Sequence, residues 1–599
     1  MRQMHSAERI QGIEMNTWVR QLPITKLFSN FTKTFSISQG SFKQDLIAGI
    51  TVSLVAIPQS LAYAQLAGVP AYYGLYAALI PTIIGALFGS SSQLSTGPVA
   101  MTSLLTAASV APFAAHGSEM FYAYVILLAL LSGIFQVLFG ALRMGILLNF
   151  ISNPVLMGFI NAAAIIIGLS QIPTLLGIST TQSDHFLIDI WQVFSHISTM
   201  HGVSVAFGLS AIMLLLVLKK TTPKLPGVLI TVVLLTFVSY IIGYSDMGGK
   251  VVGLVPQGLP SISLPLLDWH ATMMLLPAAF IIALISFMEA MSSAKVIAIH
   301  TRQPWDENKE LIAQGMAKIA AAFSHSMPVS GSFSRSALNL STNAQTAFSS
   351  VVSAIFVLLT LLFFTSLLFN LPKPVLAAVI IMAVMGLINF RAITNAWRAN
   401  RDDGIAAIIT FLTTLAFAPN IQNGIIIGII LSLVLLLYRM MKPRIAELGV
   451  HNDGTLRDAF RHNLQPLHPK LGAIRYDGAL RFMNVSYFED ALLAFERKNP
   501  SVRYILVKCN GINYLDASGV QMLFNLIGRF KNNGITLGFS GIKKQVQEVM
   551  DRTALTPFIG HDNIFKSDQD AFNKLHWQGV IDTSIKLNHK QQPSIILPD

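Results

Sequence analysis

Two charged side chains lie inside long apolar stretches of this 599-residue chain. Arg335 stands among small hydroxyl residues in VSGSFSRSALNL, and Glu289 stands in ISFMEAMSSAKVIA, a segment that is otherwise apolar from Met273 to Met291. A charge at membrane depth is costly and is retained mainly for function, in substrate sites and proton relays. The arginine therefore indicates an anion site, and the glutamate indicates a group that carries protons.

Each of these charges also has a structural interpretation. The Arg335 head group could reach the membrane interface along its apolar stem. Glu289 could form a buried ion pair with Lys295 or with Arg335, without any role in transport. The functional interpretation is preferred for Arg335 because Ser334 and Ser336 flank it within a short span.

The composition is that of a membrane protein. The chain is 53% hydrophobic and 12% charged, with a mean hydropathy of +0.58, whereas soluble domains are about 25% charged. The net charge of +12 reflects basic connections between spans and not a nucleic-acid partner. No phosphate-binding loop and no metal-spaced Cys/His cluster is visible, and Cys509 is the single cysteine. We expect no cofactor, no metal and no enzymatic activity.

The apolar stretches before Met441 predict fourteen membrane spans. Their bounds are about 46–66, 71–89, 97–112, 119–142, 147–169, 202–218, 226–243, 273–293, 309–326, 331–343, 348–369, 373–390, 405–418 and 422–441. The connections after even-numbered spans carry the basic residues, namely Arg143, Lys219, Lys220, Lys224, Arg302, Lys309, Arg391, Arg398 and Arg401. By the positive-inside rule, both termini, including the N-terminal segment 1–45, are predicted to lie in the cytoplasm of a cell-membrane protein.

Two of these spans are shorter than the roughly 20 residues that a crossing takes. One begins at STGPVAMTSLL and the other at SGSFSRSALNL, and each is third in its group of seven. Paired interrupted spans indicate a transport site between inverted repeats, here about 46–243 and 273–441. The two facing helix N-termini plus Arg335 supply a charge of about +2. Gly97 and Gly331 either permit close approach to a ligand or serve helix packing.

The residues after Met441 predict a small α/β domain over 442–578, followed by a loose tail over 579–599. Strands are expected in AIRYDGALRFMN, RYILVKCN and GITLGFSG, and helices in YFEDALLAFER, SGVQMLFNLIGRFK and IKKQVQEVMDR. In YLDASGVQML, Ser518 is expected to be a helix N-cap. The alternative role for Ser518 is a regulatory phosphorylation site, because added negative charge is favoured at a helix N-terminus.

The sequence resembles the sulfate permease family of anion transporters over nearly its whole length. The resemblance lies in AGITVSLVAIPQSLAYAQLAGVP, GLYAALIPTIIGALFGSSSQLSTGPVA, FMEAMSSAKVIA and PVSGSFSRSALN, and LDASG stands where a STAS domain has its phosphorylatable loop. It implies a polytopic α-helical membrane protein of about fourteen spans, arranged as two inverted seven-span repeats with core and gate domains. It also implies a small cytoplasmic α/β STAS domain and a homodimer in the lipid bilayer.

The resemblance further implies a substrate site between the starts of the third and tenth spans, with Glu289 as the proton-coupling carboxylate. The substrate-binding residues would be Gln59, Thr96, Gly97, Ala100, Gly331, Ser334, Arg335 and Ser336. Gln59 follows Pro58 and interrupts the first span, which alone is a weak signal because proline kinks are common in membrane helices. Sodium coupling is disfavoured because an arginine beside a sodium site would oppose cation binding.

We expect a secondary active transporter that takes up sulfate or a similar dianion with protons by an elevator-like alternating-access motion. One alternative is a bicarbonate/chloride exchanger or passive anion channel on the same scaffold. Another is a membrane sensor in which STAS contacts matter more than flux. Nucleobase permeases share the architecture but lack the STAS domain, so they fit less well.

Overall fold

The computed structural model describes residues 39–145, 152–178, 186–222, 226–418 and 420–580, together with 585 and 587. Most of the predicted N-terminal segment, Lys224 and most of the predicted tail lie outside these residues. The chain divides into two compact units between Ser432 and Leu433. Each unit is described by itself below.

The described part of the first unit is helical at every predicted span. Its first half contains α1 (Gln39–Leu66), α2 (Tyr72–Ala77), α3 (Ile80–Phe88), β1 (Ser95–Gly97), α4 (Ala100–Val110), α5 (Glu119–Ala141), α6 (Asn153–Ser170), α7 (Ile172–Leu176), α8 (Phe186–Ser195), α9 (Gly202–Thr221) and α10 (Gly227–Ile242). Its second half contains α11 (Trp269–Thr301), α12 (Glu307–Phe323), β2 (Ser330–Ser332), α13 (Phe333–Ser341), α14 (Phe348–Phe363), α15 (Thr365–Leu368), α16 (Lys373–Met385), α17 (Phe390–Ala399) and α18 (Arg401–Ala416). The last span, α19 (Gln422–Met441), continues past the boundary between the units.

Seven of the described helical segments are long and apolar enough to cross a membrane on their own. The longest is α11, with 33 residues, and it carries Glu289. The short helices α2 and α3 follow each other closely, and α4 and α13 are preceded by the strands β1 and β2. The third and tenth spans therefore each consist of a three-residue strand followed by a short helix, of 11 residues in α4 and 9 residues in α13.

Two predicted connections contain helices: α7 and α8 lie between the predicted fifth and sixth spans, and α17 follows the twelfth. Arg391 and Arg398 were expected in an irregular connection but lie in the helix α17. The Asn389 side chain caps this helix by accepting a hydrogen bond from the Ala392 N–H at 3.2 Å. A capped and strongly amphipathic segment folds as a helix even where no membrane span is needed.

The helices of the first unit pack in two groups. In one group α12 packs along α5 and against α3, α11 packs against α5, and α14 packs against α1. In the other group α18 and α16 pack against α6, and α9 packs against α16. The groups meet largely through α1, which contacts α10 and α16. This arrangement fits the core and gate domains that the sequence predicts.

A pair of glycines sets the closest crossing within the first group. A Cβ at Gly133 of α5 would lie 2.8 Å from the Gly315 carbonyl oxygen, and a Cβ at Gly315 of α12 would lie 2.7 Å from the Gly133 carbonyl oxygen. Both separations are too short for any side chain, so only glycine permits this approach. This close approach brings Gln136, one turn after Gly133, into contact with Lys318, one turn after Gly315.

The second unit contains a six-stranded sheet in the order β4-β3-β5-β6-β7-β8. The strands are β3 (Arg444–Val450), β4 (Leu456–Asp458), β5 (Leu471–Asp477), β6 (Tyr504–Lys508), β7 (Thr536–Ser540) and β8 (Ile564–Phe565). The helices are α20 (Ala459–His462), α21 (Val485–Lys498), α22 (Ala517–Asn532), α23 (Lys544–Arg552), α24 (Leu555–Ile559) and α25 (Asp568–Trp577). Strands β5 to β8 are parallel, whereas β3 is antiparallel to both of its neighbours.

Both faces of this sheet are covered, which is why β6 is a continuous apolar run. The core on one face of the sheet contains Phe488, Leu526 and Val546. The core on the other face contains Phe572 and Leu575 of α25. The predicted strand AIRYDGALRFMN was too long, because β5 ends at Asp477 and the residues after it form no named strand.

Candidate functional site

The third and tenth spans meet through their strands. β1 and β2 pair in antiparallel orientation, with Ser95 opposite Ser332, Thr96 opposite Gly331 and Gly97 opposite Ser330. All six of these residues are buried, and helices begin shortly after each strand, α4 at Ala100 and α13 at Phe333. Two helix N-termini, each with unpaired N–H groups and partial positive charge, therefore start from one crossing.

The starts of α4 and α13 differ in their side-chain caps. The N-cap position of α4 is Val99, which offers no side-chain hydrogen bond. In α13 the Ser332 hydroxyl accepts a weak bond of 3.4 Å from the Arg335 N–H, and Ser334 is exposed beside it. The N–H groups in the first turn of a helix are common anion-binding groups.

Arg335 links the two short spans. Its side chain is buried, with 2% of its surface exposed, and its Nη1 donates a hydrogen bond of 2.9 Å to the carbonyl oxygen of Pro98. Its Nη2 is buried and has no hydrogen-bond partner among the described residues. The guanidinium is enclosed by protein, which disfavours the structural interpretation in which it extends along its apolar stem to the membrane interface.

The two glycines of the crossing have different neighbours. A Cβ at Gly97 would lie 2.9 Å from Nη2 of Arg335, so the absence of a side chain leaves room at the free guanidinium nitrogen. A Cβ at Gly331 would lie 2.9 Å from both Cα and Cβ of Ala290. Gly331 thus allows β2 to lie directly against α11, next to Glu289.

Glu289 is partly buried, and its Oε2 is buried without a hydrogen-bond partner among the described residues. It interacts electrostatically with Arg335 and with Lys318. Lys295, the other predicted partner, is exposed. A buried carboxylate oxygen without a donor among the described residues, near positive charges, belongs to a group that can take up a proton when the surrounding charge changes.

One face of α1 completes the surroundings. Gln59 is buried and its Oε1 has no partner among the described residues, and Tyr63 lies one turn further on the same face. Tyr63 lies near both Arg335 and Glu289, and α1 packs against α4 and α13. Tyr63 could have been identified from the sequence, because it lies four residues after Gln59 and therefore on the same helix face.

Some predicted site residues are engaged in structural hydrogen bonds. The Ser336 hydroxyl accepts from the Ser95 N–H at 2.9 Å, and the Thr96 hydroxyl accepts from Gln314 Nε2 at 2.8 Å. Gln314 Nε2 also donates to Glu310, whose other carboxylate oxygen holds the Ser90 N–H at 2.9 Å. These bonds fix the position of β1 and leave less of Thr96 and Ser336 for a ligand.

Sequence reasoning missed Lys318. This residue is fully buried in α12, and its Nζ donates two hydrogen bonds of 2.6 Å, to Gln136 Oε1 and to Ser286 Oγ. Ser286 lies one turn before Glu289 on α11, and its carbonyl oxygen accepts from Ser330 Oγ of β2 at 2.7 Å. The signal was present, because Lys318 is a charge inside an apolar span.

A separate cavity of about 760 Å³ lies between the two helix groups of the first unit. Gln65 of α1 and Leu104 of α4 line it from one group, and Ile166 of α6 and Asp189 of α8 line it from the other. No predicted substrate-binding residue lines it. The crossing of β1 and β2 is therefore buried within one group, away from this opening.

The described residues contain neither a cluster of metal ligands nor a reactive thiol. They contain no cluster of three or more His, Cys, Asp or Glu side chains that could hold a metal ion. Cys509 is buried in the second unit, and this burial raises the pKa of its thiol, so a reactive thiolate is disfavoured.

The N-cap of α22 was assigned to the wrong residue. Asp516 is the N-cap, and its Oδ1 accepts a hydrogen bond of 2.9 Å from the Gly519 N–H. Ser518 is the second residue of the helix and its side chain is exposed. Asp516 is the stronger cap because its carboxylate also accepts from the Phe482 N–H at 2.8 Å.

Comparison with known protein families gives matches over both units. Residues 42–410 match the sulfate permease family, and residues 466–571 match the STAS domain. The chain is 34% identical over 549 residues to "Probable sulfate transporter 4.2" of Arabidopsis thaliana, covering 88% of this chain and 80% of that protein. It is 30% identical over 557 residues to "High affinity sulfate transporter 1" of Stylosanthes hamata, covering 88% and 83%.

Solved structures show the same fold. The murine solute carrier 26 family member A9 anion transporter in the inward-facing state has a TM-score of 0.83 and 19% identity, covering 92% of this chain and 94% of that one. The transmembrane domain of the cyanobacterium bicarbonate transporter BicA has a TM-score of 0.56 and 22% identity, covering 66% and 98%. The predicted fold class, a polytopic helical membrane protein with a C-terminal STAS domain, is confirmed.

Proposed function

The chain belongs to the sulfate permease family, and we propose that it is a secondary active transporter that takes up sulfate or a similar dianion together with protons. One observation carries the proposal. Arg335 Nη2 is buried and has no partner in the part of the chain that the structure describes, and it lies at the crossing where α4 and α13 begin, so a full positive charge and two helix N-termini converge there. An oxyanion supplies the acceptor that Nη2 lacks among the described residues.

Glu289 is the proton-coupling group in this proposal. Protonation of Glu289 removes a negative charge that acts on Arg335, and this strengthens anion binding. Because linkage between two bound species is reciprocal, a bound dianion favours protonation of Glu289 to the same extent. A proton then accompanies each anion. An acidic exterior would drive accumulation, whereas the arginine at the crossing opposes sodium as the coupling ion.

An elevator-like motion of one helix group against the other would give the site access to both sides. The buried crossing belongs to the group that contains α1, α4, α11 and α13, and the cavity lies between this group and the one that contains α6. Sliding of the first group would carry the anion past this boundary without dismantling the crossing. The fold shared with an inward-facing anion transporter supports this proposal.

We further place the protein in the cell membrane as a homodimer with cytoplasmic termini. Basic residues concentrate in the connections after even-numbered spans, which supports this orientation. The STAS domain would have a regulatory or assembly role without catalysis. Ser518 is exposed at the start of α22, and mass spectrometry of the protein from its native cells tests whether it carries phosphate.

The second candidate is a bicarbonate/chloride exchanger or passive anion channel. The likeness to the bicarbonate transporter BicA and to an anion transporter of the solute carrier 26 family favours it, because this scaffold carries such functions there. Downhill chloride or bicarbonate flux that does not respond to a pH gradient would identify this function. Absence of flux for every anion would instead indicate a sensor.

The test is uptake of radiolabelled sulfate by the purified protein in liposomes, with an imposed pH or sodium gradient. We expect accumulation of sulfate against its gradient with an acidic exterior and no response to sodium. Glu289→Gln resembles the protonated state, so this variant should bind sulfate and lose the response to pH. Glu119→Gln is the matched control, because Glu119 is exposed at the start of α5.

Two results would contradict the proposal. If Glu289→Gln accumulates sulfate against its gradient as strongly as the unaltered protein, the coupling group lies elsewhere. If the unaltered protein moves sulfate only down its gradient, no proton coupling exists.

A further inference from the structure

The buried ammonium of Lys318 is not explained by hydrogen bonding alone. Its two acceptors, Gln136 Oε1 and Ser286 Oγ, are both neutral, so neither cancels the positive charge. Burying a cation is costly, and the carboxylate of Glu289, which interacts with Lys318, offsets part of that cost. The charge itself is therefore expected to act on a negative group nearby.

The fold directs this charge toward the anion site. The Gly133–Gly315 crossing holds α12 against α5 and brings Lys318 to Gln136. Ser286 then joins Lys318 to the helix face that carries Glu289, and the Ser286 carbonyl oxygen is bonded to Ser330 of β2. Lys318 and Glu289 interact electrostatically.

Lys318 changes the charge of the site. The two helix N-termini and Arg335 supply about +2, and ionised Glu289 lowers this to about +1, which suits a monoanion. With Lys318 included, the site keeps about +2 while Glu289 is ionised, which suits a dianion. The charged form of Lys318 therefore offsets the charge of the proton-coupling carboxylate.

We propose that Lys318 is a specificity-determining residue: a buried cation, held in place by Gln136 and Ser286, that makes the site prefer a divalent oxyanion, of the sulfate type, over a monovalent anion. The proposal rests on the proposed transport function. Lys318 acts through space on the bound anion and does not bind it, since its Nζ is held by Gln136 and Ser286.

Coulomb's law gives this proposal a quantitative signature, because the energy scales with the product of the charges. Removing one positive charge changes the binding free energy of a dianion twice as much as that of a monoanion. In Lys318→Gln we expect sulfate affinity to fall on the order of 10- to 100-fold. The affinity of chloride should fall only by about the square root of that factor.

The experiment measures the half-saturation concentration of sulfate uptake in proteoliposomes, together with inhibition of that uptake by chloride. Lys318→Arg keeps the charge and should keep the selectivity. The double variant Lys318→Gln/Glu289→Gln removes one charge of each sign, so it should recover most of the preference for sulfate. A purely structural role predicts equal losses for both anions and no recovery in the double variant.

A second variant covers the case in which Lys318→Gln does not fold. Gln136→Glu keeps the shape of the acceptor 2.6 Å from Nζ and cancels the ammonium in place. It should shift selectivity in the same direction as Lys318→Gln. If sulfate and chloride affinities change by equal factors in these variants, the inference is wrong even though transport stands. If the unaltered protein takes up no sulfate, the transport proposal itself fails.

Discussion

Gly97→Ala tests the anion site without altering any charge. The added Cβ would lie 2.9 Å from Nη2 of Arg335 and 3.5 Å from the Thr82 hydroxyl oxygen. Only the first separation is too short, and the atom concerned is the far end of a flexible side chain. The variant should therefore fold, with the guanidinium displaced from its position at the crossing.

The size of the effect follows from this geometry. Ordinary contact begins at 3.4 Å, so Nη2 must move by at least the difference from 2.9 Å, which is about half an ångström. A hydrogen bond to a charged group contributes about 1.5–3 kcal/mol and weakens steeply with poor geometry. Loss of roughly half of this contribution costs about 1 kcal/mol, so sulfate affinity should fall about fivefold.

The assay is the half-saturation concentration of sulfate uptake in proteoliposomes, with thermal unfolding in detergent as the measure of folding. Gly168→Ala is the matched control, because its Cβ would meet only Val384 Cγ2, at 3.9 Å. The control should leave the sulfate affinity unchanged. An unchanged affinity in folded Gly97→Ala would refute the assignment of Nη2 as a ligand of the anion.

Further expectations concern Arg335 and the cap of α22. Arg335→Ala should leave a folded protein with sulfate affinity lowered by about 10- to 100-fold. The sulfate affinity of Arg335→Lys should lie between those of Arg335→Ala and the unaltered protein, because lysine keeps the charge but loses the planar fork of arginine. Equal affinities in all three proteins would show that the helix N-termini suffice. Asp516→Ala should weaken the start of α22 by about 1 kcal/mol, seen as roughly fivefold faster amide hydrogen exchange there in the full-length protein. Ser518→Ala is its control, and equal exchange in both variants would exclude Asp516 as the cap.

The sequence alone determined where the helices of the first unit lie. Long apolar runs are unfavourable in water, and the bilayer thickness sets the length of a span, so the sequence predicts where each span lies. The ends are less certain, because α1 begins at Gln39 and not at 46, and α11 ends at Thr301 and not at 293. The same rule singled out Arg335 and Glu289, because a charge within such a run is conspicuous. The two short spans were recognised by their glycines and hydroxyl residues, which disfavour a continuous helix.

Only the tertiary structure decided which of these groups meet. Arg335 bonds to a carbonyl 237 positions away, and Lys318 bonds to a side chain 182 positions away. No local pattern encodes such contacts, since they depend on how closely helices cross. The Gly133–Gly315 approach is one such crossing, and it brings Lys318 toward Glu289.

The cap of α22 shows the same limit on a smaller scale. Asp516 and Ser518 both stand at a position where a cap is expected, and both are good capping residues. The structure selects Asp516, because the segment that contains Phe482 runs beside it and supplies a second N–H donor to the same carboxylate. The local sequence determined that a capped helix begins there, and a contact from a distant part of the chain decided which residue caps it.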